Sequence, residues 1–123
     1  MNINPLNLIG GILLMAIIFG SGYCLTRAGN PYPMIVMTIH KLLSVAVSVI
    51  LIVTLVRAHR VAPLSATVLI TSIVAILGFL GLIATGALLS GEADLPAFVR
   101  KVHHIAPYVT LMASGVTLFF LQR

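Results

Sequence analysis

The sequence predicts an all-α integral membrane protein, an up-down-up-down four-helix bundle in one transmembrane domain over residues 1–123. First, 60% of the residues are hydrophobic, with only seven Lys and Arg and two Asp and Glu, a composition outside that of soluble proteins. Second, the apolar residues fall into four runs of about the 20 residues that a helix needs to span a membrane. Third, the connections between the runs are too short to cross the bilayer, so successive helices must alternate in direction.

The first two helices are bounded by residues that interrupt helices for known reasons. Helix 1 is predicted over about residues 5–25, with Asn4 as its N-cap and Pro5 at the first helical position, where proline is tolerated. It ends before the segment 29–33, because the prolines there lack an N–H donor and restrict the preceding residue. Helix 2 is predicted over about residues 34–56, followed by a short polar connection.

The last two helices follow from the same kind of signal. Helix 3 is predicted over about residues 64–89 and ends at Ser90-Gly91. Helix 4 is predicted over about residues 95–121, after a short acidic segment in which Asp94 is the expected N-cap. No internal sequence repeat is recognisable, so the sequence predicts one domain.

The net charge of +5 does not indicate a nucleic-acid partner. The positive residues lie at the ends of apolar segments, where they anchor a span, and no extended basic surface remains. Cys24 is the single cysteine, which excludes an internal disulfide and a CxxC metal site.

Histidines interrupt the apolar runs in two helices. His40 is followed by Lys41 in helix 2, and residues 100–104 (Arg-Lys-Val-His-His) lie near the start of helix 4. At roughly 1.5 Å per residue, His40 lies about 9 Å inside helix 2, and His103 and His104 lie about 10 to 12 Å inside helix 4 from the same side. Neutral imidazole is a common axial ligand of haem iron. The shared depth predicts one haem b between helices 2 and 4, with His40 and either His103 or His104 as iron ligands.

The residues that share a helix face with His103 or with His104 favour His103 as the ligand but do not exclude His104. Residues three or four apart share a face of a helix, so each histidine defines its own stripe along helix 4. The stripe through His103 consists of small, weakly polar residues typical of a buried membrane interface: Thr110, Ser114 and Thr117. The stripe through His104 leads through Tyr108 and Gly115 and is less distinctive. The sequence therefore favours His103 and leaves His104 open.

Four glycines in helices 1 and 3 lie near the depth of these histidines: Gly20, Gly22, Gly81 and Gly86. A missing side chain lets a ligand or another helix approach the backbone closely, so all four are candidate cofactor-binding residues. Ordinary helix packing at small residues is the alternative.

Two cations are candidate partners of the haem propionates. Lys41 and Arg100 lie at or just above the predicted site, and a buried anion needs a cationic partner. Extension of these side chains to lipid headgroups is the alternative. If they bind propionates, the remaining positive residues favour both termini in the cytoplasm, and we expect the inner (plasma) membrane of a bacterium.

Three short motifs carry a resemblance to a known family. They are residues 39–42 (Ile-His-Lys-Leu), residues 85–90 (Thr-Gly-Ala-Leu-Leu-Ser) and Arg100-x-x-His103-His104. With them the chain resembles small four-helix membrane b-type cytochromes, the cytochrome b561-like group and related bis-histidine bundles. The resemblance implies electron transfer with a quinone or quinol, or a place as a subunit of a redox complex. The chain lacks the second histidine pair of the di-haem members.

Other functions remain open at this stage. If the chain is an enzyme, the expected class is a quinol-linked oxidoreductase or a subunit of one. A cofactor-free structural or assembly subunit of a membrane complex is the main alternative. A small dimeric transporter is less favoured, because helix 1 has no Asp or Glu to exchange protons for cations. Membrane lipid, quinone, other redox subunits and further copies of the chain are the candidate partners.

Overall fold

The computed structural model describes residues 4–91 and 94–123, which form four helices and no strand. These are α1 (Pro5–Ala28), α2 (Met34–Val61), α3 (Ala66–Gly91) and α4 (Ala97–Leu121). All four are long and apolar enough to cross a membrane. The predicted fold class is confirmed in these terms: the chain is all-α, with four long apolar helices consistent with a four-helix membrane bundle.

Helix α1 begins as predicted and ends one turn later than predicted. The Asn4 side chain accepts a hydrogen bond from the Leu6 N–H at 3.0 Å, and Pro5 is the first helical residue. The chain leaves α1 at Gly29, whose φ of 70° favours glycine and whose N–H donates to the Leu25 carbonyl at 3.1 Å. Arg27 therefore lies in the last turn, where its charge stabilises the exposed carbonyl groups.

Helix α2 continues through the polar segment that was predicted to be a connection. It runs to Val61, five residues beyond the predicted end, with His59 and Arg60 in its last turn. Basic side chains interact favourably with the partial negative charge at a helix C-terminus, so residues 57–60 extend the helix. The connection between α2 and α3 is reduced to residues 62–65.

Helices α3 and α4 each begin two residues later than predicted. The Ser65 hydroxyl accepts from the Val68 N–H at 3.3 Å and so caps α3. In α4 the N-cap is Pro96, which makes no side-chain capping bond, so the prediction of Asp94 as N-cap is wrong. The reason is that Pro96 restricts Leu95 to extended backbone, and a helix cannot begin there. Residues 92 and 93 of the acidic segment lie outside the described residues.

The described residues group into two compact units. One runs to Val47 and holds α1 with the first half of α2, and the other runs from Ser48 to Arg123 and holds the rest of α2 with α3 and α4. The single domain predicted from the sequence stays a prediction.

In the second unit, α3 and α4 contact each other at regular steps of seven residues. Three pairs lie along the interface: Thr71 with Thr117, Gly78 with Thr110, and Thr85 with His103. Positions advance by seven along α3 while they fall by seven along α4, as expected for an antiparallel pair with a heptad-like interface. The pairing fixes which residues of the two helices face each other.

The interface of α4 is lined by hydroxyl side chains, as the sequence predicted. Thr110, Ser114 and Thr117 are all buried, which confirms that stripe as a helix interface. The Thr117 hydroxyl lies 2.8 Å from the Thr71 hydroxyl across the helices, and the Ser114 hydroxyl donates along its own helix to the Thr110 carbonyl at 2.7 Å. Small hydroxyl side chains of this kind let membrane helices approach closely.

Candidate functional site

His40 is half-buried in the first unit, six residues after the start of α2. Its Nδ1 lies 3.0 Å from the Ile18 carbonyl oxygen and 3.0 Å from the Ser21 hydroxyl, both on α1. A carbonyl oxygen only accepts, so Nδ1 of His40 must carry the proton. The Ser21 hydroxyl gives its own proton to the Ile18 carbonyl at 3.0 Å and accepts from the imidazole. The lone pair of His40 is therefore on Nε2.

His103 is half-buried in the second unit, six residues after the start of α4. Its Nδ1 lies 2.7 Å from the Thr85 hydroxyl oxygen on α3. The Thr85 hydroxyl also lies 2.8 Å from the Gly81 carbonyl of its own helix. If its single proton goes to that carbonyl, the Thr85 oxygen accepts from Nδ1–H of His103, and the lone pair of His103 is on Nε2, as in His40.

Two of the four predicted glycines contact these imidazoles. A Cβ added to Gly22 would lie 3.1 Å from Cε1 of His40, and one added to Gly86 would lie 3.0 Å from Cε1 of His103. Both distances are tighter than ordinary van der Waals contact, so the missing side chains at Gly22 and Gly86 provide the space that the two rings occupy. Gly20 and Gly81 are exposed, and a Cβ on either would meet no described atom within 4 Å.

The remaining predicted site residues lie on exposed helix surface. His104 is exposed, and it points about 100° around α4 from the half-buried His103. Lys41 and Arg100 are exposed as well. Their long side chains can therefore reach either a bound anion or the lipid headgroups.

Each imidazole, taken by itself, could supply one axial ligand to haem iron. Among residues 4–91 and 94–123, no group of three or more His, Cys, Asp and Glu could hold a metal ion, whereas a structural zinc site takes four such ligands. Haem iron already has four porphyrin nitrogens and takes only axial ligands from the protein. Each imidazole has a hydrogen bond from Nδ1 that fixes the ring, which is the usual environment of a metal-binding histidine.

The sequence indicates the kind of partner beside the His40 ring but not the residues that hold the two rings. The second ring nitrogen of a ligating histidine needs a hydrogen-bond partner, for which the sequence offers Ser44 or a backbone carbonyl beside His40. The partner found is a backbone carbonyl, that of Ile18, together with Ser21, whereas the Ser44 hydroxyl donates to the His40 carbonyl of its own helix at 2.7 Å. The partner found for the His103 ring is Thr85. A usable signal was present in the Ser-Gly and Thr-Gly dipeptides at 21–22 and 85–86, each within an apolar run.

Comparison with known proteins identifies no relative of this chain. No family model, curated protein sequence or solved structure matches it. The resemblance to bis-histidine cytochromes therefore stays a prediction that rests on the three short motifs.

Proposed function

We propose that this chain is a membrane b-type cytochrome that binds one haem b through Nε2 of His40 and Nε2 of His103 and transfers electrons. The observation that carries the proposal is the hydrogen bond at Nδ1 of each histidine, made by His40 with Ile18 and by His103 with Thr85, in each case on the preceding helix. In the proposed site, each Nδ1 carries the ring proton and each Nε2 is the nitrogen that binds iron.

The position of the two rings along their own helices supports the same assignment. His40 and His103 each lie six residues after the first residue of their helix, at a depth of about 9 Å. Ionisable side chains inside a span are costly and usually functional. Two such residues at the same distance along their own helices, each with a hydrogen bond at Nδ1 and a glycine against the ring, support the proposal of one ligand over two separate packing roles.

Of the adjacent histidines His103 and His104 on α4, we propose His103 as the iron ligand. Its ring is half-buried and held by Thr85, whereas His104 is exposed. A ligand has to keep one orientation, and hydrogen bonding from Nδ1 supplies that constraint.

Bound haem supplies a carrier of one electron, and the residues of this chain supply its position and surroundings. His40 and His103 orient the ligand atoms, and the apolar spans exclude water, which are two of the means by which a protein sets a haem potential. For its partners we propose a quinone or quinol, or other subunits of a redox complex in the inner membrane of a bacterium. If the chain is itself an enzyme, we propose that it is a quinol-linked oxidoreductase or a subunit of one.

An absorption spectrum of the purified protein tests the proposal. After expression with ample haem, we expect a Soret band in the oxidised protein and sharp visible bands after reduction. Haem extracted into pyridine should amount to about one per chain, because the described spans offer one pair of half-buried histidines. A protein that folds into membranes without a Soret band would instead favour a cofactor-free structural subunit.

Replacement of Lys41 and Arg100 together tests the proposed partners of the propionates. We expect Lys41→Gln/Arg100→Gln to lose haem faster in detergent than the unmodified protein, because the propionates lose their cationic partners. The rate is measured by transfer of haem to an acceptor protein. Arg57→Gln/Arg60→Gln is the matched control, since it removes the same charge from the far end of α2. Equal rates in the two variants would assign Lys41 and Arg100 to lipid headgroups.

A further inference from the structure

The same local contact between two successive helices occurs in both units. A hydroxyl residue and a glycine are adjacent on one helix, and a histidine of the next helix donates Nδ1–H to that hydroxyl. Ser21-Gly22 serves His40 in the first unit, and Thr85-Gly86 serves His103 in the second. The donor and acceptor are 19 residues apart in one case and 18 in the other.

We infer that Ser21 and Thr85 are positioning residues that accept Nδ1–H of His40 and His103, respectively, and so make Nε2 the ligand atom of each ring. Which ring nitrogen carries the proton is set by the hydrogen bond that the other atoms of the site offer. A free histidine side chain favours the Nε2–H tautomer, which must lose that proton before Nε2 can bind a metal. An acceptor beside Nδ1 favours the other tautomer and so prepares Nε2 for the metal.

The acceptor role of Ser21 follows from His40, because the Ile18 carbonyl at 3.0 Å from Nδ1 requires a proton on that nitrogen. The Ser21 hydroxyl proton then goes to the Ile18 carbonyl at 3.0 Å. Thr85 has the same role when its hydroxyl proton goes to the Gly81 carbonyl at 2.8 Å, one turn earlier on the same helix, and its oxygen accepts Nδ1–H of His103.

The adjacent glycines complete the arrangement by allowing the ring to reach the hydroxyl. A Cβ at Gly22 or Gly86 would lie 3.1 or 3.0 Å from Cε1 of its histidine, so the ring would have to shift by a few tenths of an ångström. A glycine next to the hydroxyl therefore leaves room for this contact in both units.

If the chain binds haem as proposed, the hydrogen bonds at Nδ1 also affect the midpoint potential of the haem. A hydrogen bond donated from Nδ1–H raises the basicity of a ligating imidazole, which favours the ferric state. Loss of the acceptor is expected to shift the midpoint potential upward. Thr85→Val removes the Thr85 hydroxyl while keeping the shape of the side chain, and Thr85→Ser keeps the hydroxyl.

The tautomer itself is tested on the full chain labelled with ¹⁵N-histidine and purified without added haem. We expect nitrogen NMR to show Nδ1–H for His103 in the unmodified chain and in Thr85→Ser, and to show loss of that signal in Thr85→Val. Ser21→Ala should change His40 less, because the Ile18 carbonyl still accepts from Nδ1. Ser21→Thr is its conservative control.

A second readout is the midpoint potential of the haem-loaded chain, expected to be higher in Thr85→Val than in Thr85→Ser. An unchanged His103 tautomer in Thr85→Val would overturn the inference, whatever the absorption spectrum shows. A tautomer that depends on Thr85 in a chain that never acquires a Soret band would support the positioning role and overturn the proposed function.

Discussion

In the proposed cytochrome, His40→Ala and His103→Ala are each expected to abolish the bis-histidine haem spectrum, because each removes one of the two proposed axial ligands. Loss of a residue that merely supports a ligand costs about 10- to 100-fold in metal affinity, and loss of the ligand itself should cost more. The measurement is the haem content per chain, together with the low-spin signal of the oxidised protein in electron paramagnetic resonance.

His104→Ala is the matched control for the ligand on α4. His104 is adjacent to His103 in the sequence but exposed, so its removal should leave haem content and the low-spin signal intact. Loss of haem in His104→Ala with retention in His103→Ala would reverse the assignment. Retention in His40→Ala would exclude α2 as the source of a ligand.

Gly78→Ala is expected to destabilise the pairing of α3 with α4 by about 1–3 kcal/mol, the usual cost of overpacking a well-packed site. The Thr110 hydroxyl occupies the space that a Cβ at Gly78 would need, and Thr110 is only 2% exposed. The two helices would have to separate to admit the new methyl group. Unfolding in mixed detergent and SDS micelles, followed by circular dichroism, measures the loss of stability.

Two further variants test whether this contact is the cause. Gly78→Ala/Thr110→Ala should recover most of the stability, since the Thr110 hydroxyl has no hydrogen-bond partner among the described residues and its removal vacates the space. Gly81→Ala should be neutral or slightly stabilising, because a Cβ there meets no described atom within 4 Å and alanine is the better helix former. Equal destabilisation by Gly78→Ala and Gly81→Ala would contradict the tight contact.

Helix starts were more predictable than helix ends, for a local reason. Asn4, Pro5 and the segment before Met34 act on the residues next to them, and α1 and α2 begin where these signals predict. The end of α2 was missed because arginine and histidine were interpreted as loop residues, although they also stabilise the last turn of a helix.

The buried face of α4 was also predictable, because residues at helical spacing share a face whatever the helix contacts. Thr110, Ser114 and Thr117 are buried as that reasoning predicts. The contacts between helices were less accessible. Gly78 opposite Thr110 and Thr85 beside His103 depend on how α3 is rotated and shifted along α4, which the spacing within one helix does not determine.

The bond from His40 to the Ile18 carbonyl also bears on proton movement. A histidine relays protons by accepting one at the first ring nitrogen and releasing another from the second. In His40, Nδ1–H contacts the Ile18 carbonyl oxygen and the Ser21 hydroxyl, and in the proposed cytochrome Nε2 binds iron and has no lone pair left to accept a proton. In the proposed cytochrome, the ring would therefore serve an electron carrier without conducting protons, and protons released by a quinol would have to leave the membrane by a separate path.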